Sequence, residues 1–511
     1  MIDVACSEDG LQTKSIAGLN APSSPFGDAE DDDDDLEASR TRLTVREAEL
    51  DKKVAAVRCI GAMAKYCSAA YLPFLSKTVD AFEGLMEYPH ESMRLVVMET
   101  LILCRCVVHF FCLPFFCLLA ILFFAHLFFC LCSECVFAQF PLPGGEGSWV
   151  KGLGAAQPGA ANPQALALVA KLVTEAVRSV MRDPSKKVVA AACELMQHVC
   201  ELWGPQAVAP QHRHILGTVL KLLREKAPCQ DTEYDYGEED EAELVFMDHD
   251  NILVDAVADL IGVLARTCGE GFGSLFLPLA GPLFSFCEPR RAQNDRAMAL
   301  GAFAEVIEEV DGATAAQLAG PLLPVLFDCL GTGNYNMRRN AVYCAGVLAA
   351  HAPAHVAPHL PLLLNALTPH LTLVEGENRA IVDNAASALC RIVVSAAAGS
   401  VPVEQVLPLV LAVVPLQEDP SENEPVYSML CQLLDARAPA VVAQLPQIVV
   451  KFAQALTQPD AFLSAEIKGE LVPRVVAAVA QLKAAGGLAQ VIAHLGPAEG
   501  AVLQRAGAVL S

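Results

Sequence analysis

RAMALGAFAEVIEEV (296–310), NAVYCAGVLAAHA (340–352) and NAASALCRIVVSA (384–396) align with one another at an offset of 44 residues, used twice. In the first stretch Ala297, Leu300, Gly301, Ala304 and Ile307 recur at the 3.6-residue period of an α-helix and share one face. Ala341, Cys344, Ala345 and Leu348 repeat that face, and so do Ala385, Ala388, Leu389 and Ile392. Small residues on such a stripe let neighbouring helices approach closely. Between these stretches a second mark recurs, a Leu-Pro pair opening an apolar run. It falls at Leu277-Pro278, Leu323-Pro324, Leu360-Pro361, Leu407-Pro408 and Leu445-Pro446, with spacings of 46, 37, 47 and 38, and earlier at Leu72-Pro73.

Each unit therefore reads as two antiparallel helices. The first carries the Leu-Pro pair. A short polar turn follows, such as EYPHES (87–92), RDPSKK (182–187) or GTGNYN (331–336). The second helix opens on charge or amide: Arg94, Lys187, Arg296, Arg339-Asn340 and Asp383-Asn384. No β-branched alternation bounded by tight-turn residues competes with this pattern. Two helices in a period of 40–47 residues are the signature of HEAT or armadillo repeats. The predicted fold class is all-α, a HEAT/armadillo-type solenoid in which each unit buries its apolar face only against its neighbours.

The repeats are predicted to begin with a second helix near 51–67. Pairs follow near 69–105, 164–203, 210–268, 271–310, 313–352, 355–398, 402–436 and 438–483. In domain terms, residues 1–45 form an acidic segment expected to be disordered and 46–105 a first block of repeats. Residues 106–140 are an anomalous apolar insertion. Residues 141–483 are further repeats with an acidic loop at 229–243, and 484–511 are a cap or tail. The opening MIDVACSEDG has neither the basic start nor the apolar core of a signal peptide.

Composition narrows the function. Of 511 residues 54% are hydrophobic, which excludes wholesale disorder. Asp+Glu number 59 against 35 Lys+Arg, a formal net charge of −24. That balance excludes a general nucleic-acid binder, because phosphate neutralisation needs a basic face. It favours basic partners. Two runs concentrate the acid, each with eight carboxylates: DAEDDDDDLE (28–37) and DTEYDYGEEDEAE (231–243). Either can be a solvated linker. The functional alternative is an electrostatic lure for a basic protein, carried in the second run by Asp231, Glu233, Asp235, Glu238, Glu239, Asp240, Glu241 and Glu243. Tyr234 and Tyr236 would add stacking on lysine or arginine. Arg296, Arg339, Asn340 and Asn384, at the starts of second helices, read as structural repeat positions that tie neighbouring turns by hydrogen bonds.

No catalytic constellation is present. The chain lacks GxxxxGK[ST], a GxGxxG between strand and helix, GxSxG and HExxH. His351, His355 and His359 are spaced by four, but Pro353 and Pro358 interrupt the helix that would align them as ligands. No enzyme activity, cofactor or metal is expected.

Residues 106–133 (CVVHFFCLPFFCLLAILFFAHLFFCLCS) contain no Asp, Glu, Lys or Arg. Three readings compete. The run is long and apolar enough for a membrane anchor. Cys130, Cys132 and Cys135 suggest a metal site, but they lack a second ligand pair. The composition favours the third reading, translated intron sequence. Phe, Leu, Ser and Cys have pyrimidine-rich codons, and VFAQ (136–139) can encode a pyrimidine tract ending in CAG.

Several longer stretches follow one another in a particular order. RTRLTVREAELDKKVAAVRCIGAMAKYC follows the first acidic run, and YLPFLSKTVDAFEGLMEYPHESMRLVVMETL comes next. AELVFMDHDNILVDAVADLIGVLARTC follows the second acidic run. YNMRRNAVYCAGVLA, ENRAIVDNAASALCRIV and VLPLVLAVVPLQEDPSENEPVYSML complete the series. From residue 41 to about 483 this order resembles the C-terminal half of an importin-beta superfamily nuclear transport receptor of the importin-four type. RRNAVYCAGVLA and VDNAASALCRIV with PLQED are its most specific parts. The resemblance implies a carrier of basic cargo, histone-like or ribosomal proteins, shuttling between cytoplasm and nucleus. It implies contacts to Phe-Gly repeats of the nuclear pore. Ran GTPase contacts would lie mainly in an N-terminal half that nothing here matches, so the chain is expected to be a fragment, a truncated gene model or a short isoform. The alternatives are a HEAT scaffold or chaperone outside transport, and a membrane-anchored helical protein if 106–133 is expressed.

Overall fold

The computed structural model describes residues 1–6, 11–15, 41–45, 47–111, 163–208, 210–231, 240–372, 378–397, 399–460, 462–493 and 495–508. Within the segment expected to be disordered, β1 (Leu11–Ser15) pairs antiparallel with β2 (Thr41–Val45), Leu11 opposite Val45. The acidic run at 28–37 lies outside the described residues. Every other element of length among the described residues is helical, and the fold is the HEAT-repeat solenoid.

The chain divides into two compact units, the first made of residues 1–137, 156–218 and 225–256. Its helices are α1 (Glu47–Cys67), α2 (Leu72–Leu85), α3 (Glu91–Phe111), α4 (Pro163–Arg182) and α5 (Lys186–Val208), with the beginnings of α6 (His212–Leu223) and α7 (Asp240–Cys268). Pro73 sits in the first turn of α2, where its missing N–H breaks no helical bond. Second helices stack in order, α1 on α3 and α3 on α5, while first helices α2 and α4 also meet. Arg94, at the start of α3, donates to both carboxylate oxygens of Asp183 at 2.7 and 3.1 Å and to the carbonyls of Tyr88 and Pro89. The repeats before and after residues 112–162 are thus direct neighbours, joined by a largely buried ion pair. Residues 112–162, which hold most of the anomalous apolar run, lie outside the described residues, and α3 itself continues to Phe111.

The second unit covers 138–155, 219–224 and 257–511. After the end of α7 come α8 (Gly273–Phe286), α9 (Gln293–Glu309), α10 (Gly312–Leu330) and α11 (Tyr335–His351). They are followed by α12 (Leu360–Leu367), α13 (Arg379–Ser395), α14 (Val403–Val413), α15 (Asn423–Asp435), α16 (Pro439–Thr457) and α17 (Ala465–Ala484). The tail forms a short turn, Leu488–Ala493, and α18 (Pro497–Ala508), which packs on α16 and α17. Side-chain caps fix several starts: Asp311 accepts from the backbone of Ala313 and Thr314, Asn334 from Met337, Ser464 from Ile467.

The second helices again stack in sequence order, α9 on α11, α11 on α13, α13 on α15 and α15 on α17. The small-residue stripe explains the closeness. A Cβ placed on Gly346 of α11 would lie 2.7 Å from the Cα of Ala388 on α13, so only glycine fits there. Leu300, Phe303, Ile307, Leu348, Leu389 and Ile392 fill the core along the same stripe. Cys344 and Cys390 are buried in it, and burial pushes both thiols well above the usual range, which makes them packing groups rather than nucleophiles. Two described helices, α10 and α16, are long and apolar enough to cross a membrane by length and composition. Both are first helices of repeats, packed against α11 and α17 respectively.

Candidate functional site

The exposed side of the stacked second helices of the second unit carries an open cleft of about 320 Å³. Its wall is polar. Glu305, Glu308 and Glu309 come from the last turns of α9, Arg339, Asn340 and Tyr343 from α11, Arg266 from α7, and Asp419, Ser421 and Glu422 from the loop before α15. Five carboxylates face two guanidiniums.

Most of these charges are paired across repeats. Arg266 Nη1 donates to Glu305 Oε2 at 2.7 Å, and Gly262 leaves the room that this carboxylate occupies. Burial lifts the Glu305 carboxyl above the usual glutamate value, with Arg266 opposing. Arg339 Nη2 reaches Asp419 Oδ2 at 3.4 Å. Tyr343 donates its hydroxyl to Glu308, and burial followed by that carboxylate raises the phenol far above its ordinary pKa.

Behind the wall lies Arg391 of α13, its side chain only 11% exposed. It forms a fork with Glu422, Nη1 to Oε2 at 2.5 Å and Nη2 to Oε1 at 3.3 Å. Nη2 also donates to Glu308 Oε1 at 3.3 Å, and Nη1 to Ser387 Oγ at 2.8 Å. The guanidinium lies over the Tyr343 ring, 5.5 Å from its centroid. Burial works against the Arg391 charge, but Glu422 and then Glu308 outweigh it, and the group stays above the ordinary arginine value. Burial raises Glu422 in turn, with Arg391 opposing.

The loop that supplies Asp419 and Glu422 is held from α13. Asp383 Oδ2 accepts three backbone N–H groups, from Gln417 at 3.0 Å, Glu418 at 2.8 Å and Asp419 at 3.1 Å. Asn423 closes the same loop, accepting from Leu416 N at 2.9 Å and donating to Leu416 O at 3.0 Å. The sequence strings VDN and PLQED are thus two halves of one hydrogen-bonded unit.

No protein-family model matches the chain. Importin-4 of Homo sapiens is 26% identical over 415 residues, covering 80% of this chain and 33% of that protein. Importin-4 of Mus musculus is 27% identical over 405 residues, covering 77% and 32%. The probable importin subunit beta-4 of Schizosaccharomyces pombe is 28% identical over 244 residues, 47% of this chain and 22% of its own length. The chain is similar in sequence to importin-4 over most of its length. It spans about a third of the length of the importin-4 proteins it matches. Among solved structures, the karyopherin Kap121p bound to the SUMO protease Ulp1p superposes with a TM-score of 0.63 at 17% identity, over 86% of this chain and 37% of that one. Kap121p bound to RanGTP superposes with a TM-score of 0.61 at 15% identity, over 91% and 37%. Those two likenesses establish the karyopherin fold.

The residues singled out from sequence fall in different places. Arg296 bridges two successive first-helix ends, donating to the Cys287 carbonyl at 3.3 Å and pairing with Asp328. Asn340 donates to Ala297 O of the preceding second helix at 2.8 Å, whereas Asn384 bonds Ala380 O within its own helix at 2.9 Å. Arg339 and Asn340 line the cleft as well as tying repeats, and Asn384 borders it. In the acidic loop, Asp231 is exposed, and Asp240, Glu241 and Glu243 fall in the first turn of α7. Glu233, Asp235, Glu238 and Glu239 lie outside the described residues. No group of three His, Cys, Asp or Glu among the described residues is arranged to hold a metal. His351 ends α11, and His355 and His359 fall in separate short turns.

Sequence reading missed Glu305, Glu308, Tyr343, Arg391 and Glu422. The signals were present but weak. Arg391 is a lone charge in the apolar string ALCRIVV, and Glu308 and Glu309 end a helix that is mostly apolar.

Proposed function

We propose that the chain is part of a nuclear import receptor that binds basic protein cargo, histone-like or ribosomal, and shuttles between cytoplasm and nucleus. The observation that carries this reading is the cleft on the stacked second helices, with its five carboxylates, two guanidiniums and one tyrosine ring. Such a wall attracts lysine and arginine side chains, and the overall charge of −24 steers a basic protein toward it. The run at 231–243 is proposed as a second attracting segment. Homology to importin-4 supports the transport reading. Kap121p, which has the same fold, has been crystallised with RanGTP and with Nup53p, and Ran and pore-protein contacts are proposed for the whole receptor on that basis.

Calorimetric titration of the purified chain with a lysine- and arginine-rich histone-tail peptide tests this. Affinity should fall about ten-fold or more between about 50 and about 200 mM salt, because the attraction acts across an open cleft that salt can enter. Deleting 231–243 should weaken binding further. Binding that is absent, or indifferent to salt, contradicts the proposal; binding indifferent to the deletion removes the loop from it.

A further inference from the structure

Behind the cleft wall, out of its lining, lies a further cation of the chain's own. Arg391 lies against Glu422, Glu308 and the Tyr343 ring, an acid-and-aromatic environment of the kind that captures an incoming guanidinium or ammonium. The two carboxylates differ. Glu422 is 5% exposed and fully engaged by the Arg391 fork, whereas Glu308 is 40% exposed on the cleft side. Glu308 therefore faces two ways, toward Arg391 behind it and toward any cation entering in front.

We infer that Arg391 is a built-in competitor for cationic side chains of the cargo, and that Glu308 is the carboxylate for which the two compete. The inference rests on the cargo-binding reading above and adds its regulation. An entering lysine or arginine draws Glu308 forward, and Arg391 falls back on its fork with Glu422. Binding at the cleft is held below what its carboxylates alone would give. It also becomes coupled to the contact that links α9, α11 and α13 to the loop before α15.

The test changes the competitor without changing net charge. In the double variant Arg391→Met/Glu422→Met, one positive and one negative charge leave together and similar volume stays buried, an exchange that buried ion pairs often tolerate. Glu308, still accepting the Tyr343 hydroxyl, and the Tyr343 ring then no longer face a guanidinium. Affinity for the histone-tail peptide should rise about three- to ten-fold, the worth of one released charge-assisted contact. Glu308→Gln, half-exposed and able to keep the tyrosine hydrogen bond, should keep the melting temperature of the parent chain and weaken binding by a similar factor. An unchanged or lowered affinity in a folded double variant, or unchanged affinity in Glu308→Gln, overturns the role of Arg391 while leaving cargo binding intact. Failure of the parent chain to bind the peptide at all overturns both readings.

Discussion

Arg391→Ala should destabilise the second unit by about 3–5 kcal/mol, the largest loss expected from any single truncation along the cleft. The side chain is 11% exposed and Glu422 5%, so removing the guanidinium strands a nearly buried carboxylate. Ser387 and Glu308 lose a donor in the same step. On a unit of this size such a loss lowers the melting temperature by on the order of 10 °C. Circular dichroism melts of parent and variant measure it directly. The paired replacement by methionines should recover most of the loss, because the cost lies in the uncompensated charge rather than in the missing attraction. A single variant that melts with the parent would mean that water already reaches Glu422.

Asp383→Ala should cost a comparable amount, about 3–5 kcal/mol, since each buried N–H left without an acceptor costs about 1–3 kcal/mol and water can relieve part of it. Here three N–H groups of consecutive residues, Gln417, Glu418 and Asp419, converge on one oxygen. Asp383 is 2% exposed. The damage should be local. Hydrogen exchange should quicken at 416–423 and in α15, while α9 and the first unit keep their protection. Displacement of Asp419 from the cleft wall should then weaken the basic peptide as well. Unaltered exchange across 416–423 would show that Asn423 alone holds the loop.

The repeat architecture could be read in the sequence because it is written twice, in the 44-residue offset of the second helices and in the Leu-Pro marks of the first. Helix spans predicted near 271–310, 313–352 and 438–483 are matched by α8 with α9, α10 with α11, and α16 with α17. Periodicity reports which face of a helix is apolar, and one apolar face per helix suffices to set the stack. The cleft is different. Tyr343 meets Glu308 across 35 residues, Arg391 meets Glu422 across 31, and Arg391 meets Glu308 across 83. None of these separations repeats. The side chains belong to the polar face, where the repeat imposes no residue type, and only the packing of three second helices brings them together. Asn340 and Asn384 show the same limit, since equivalent positions make different bonds. The charge runs gave the opposite difficulty, a conspicuous composition with no periodicity from which to place it.

Sequential stacking is tested most directly by a distance between equivalent positions two repeats apart. Ala292 and Ala380, at the starts of α9 and α13, are 88 residues apart and at least partly accessible. Genetically encoded spin labels at both positions, read by double electron–electron resonance in the parent chain, report their separation. Neighbouring helices lie about 8–10 Å apart, so two steps of the stack plus the label arms predict a narrow distribution centred below about 30 Å. A distribution centred beyond about 40 Å, or one spread without a maximum, would mean that α9, α11 and α13 are not consecutive neighbours, and the cleft built on them would not exist.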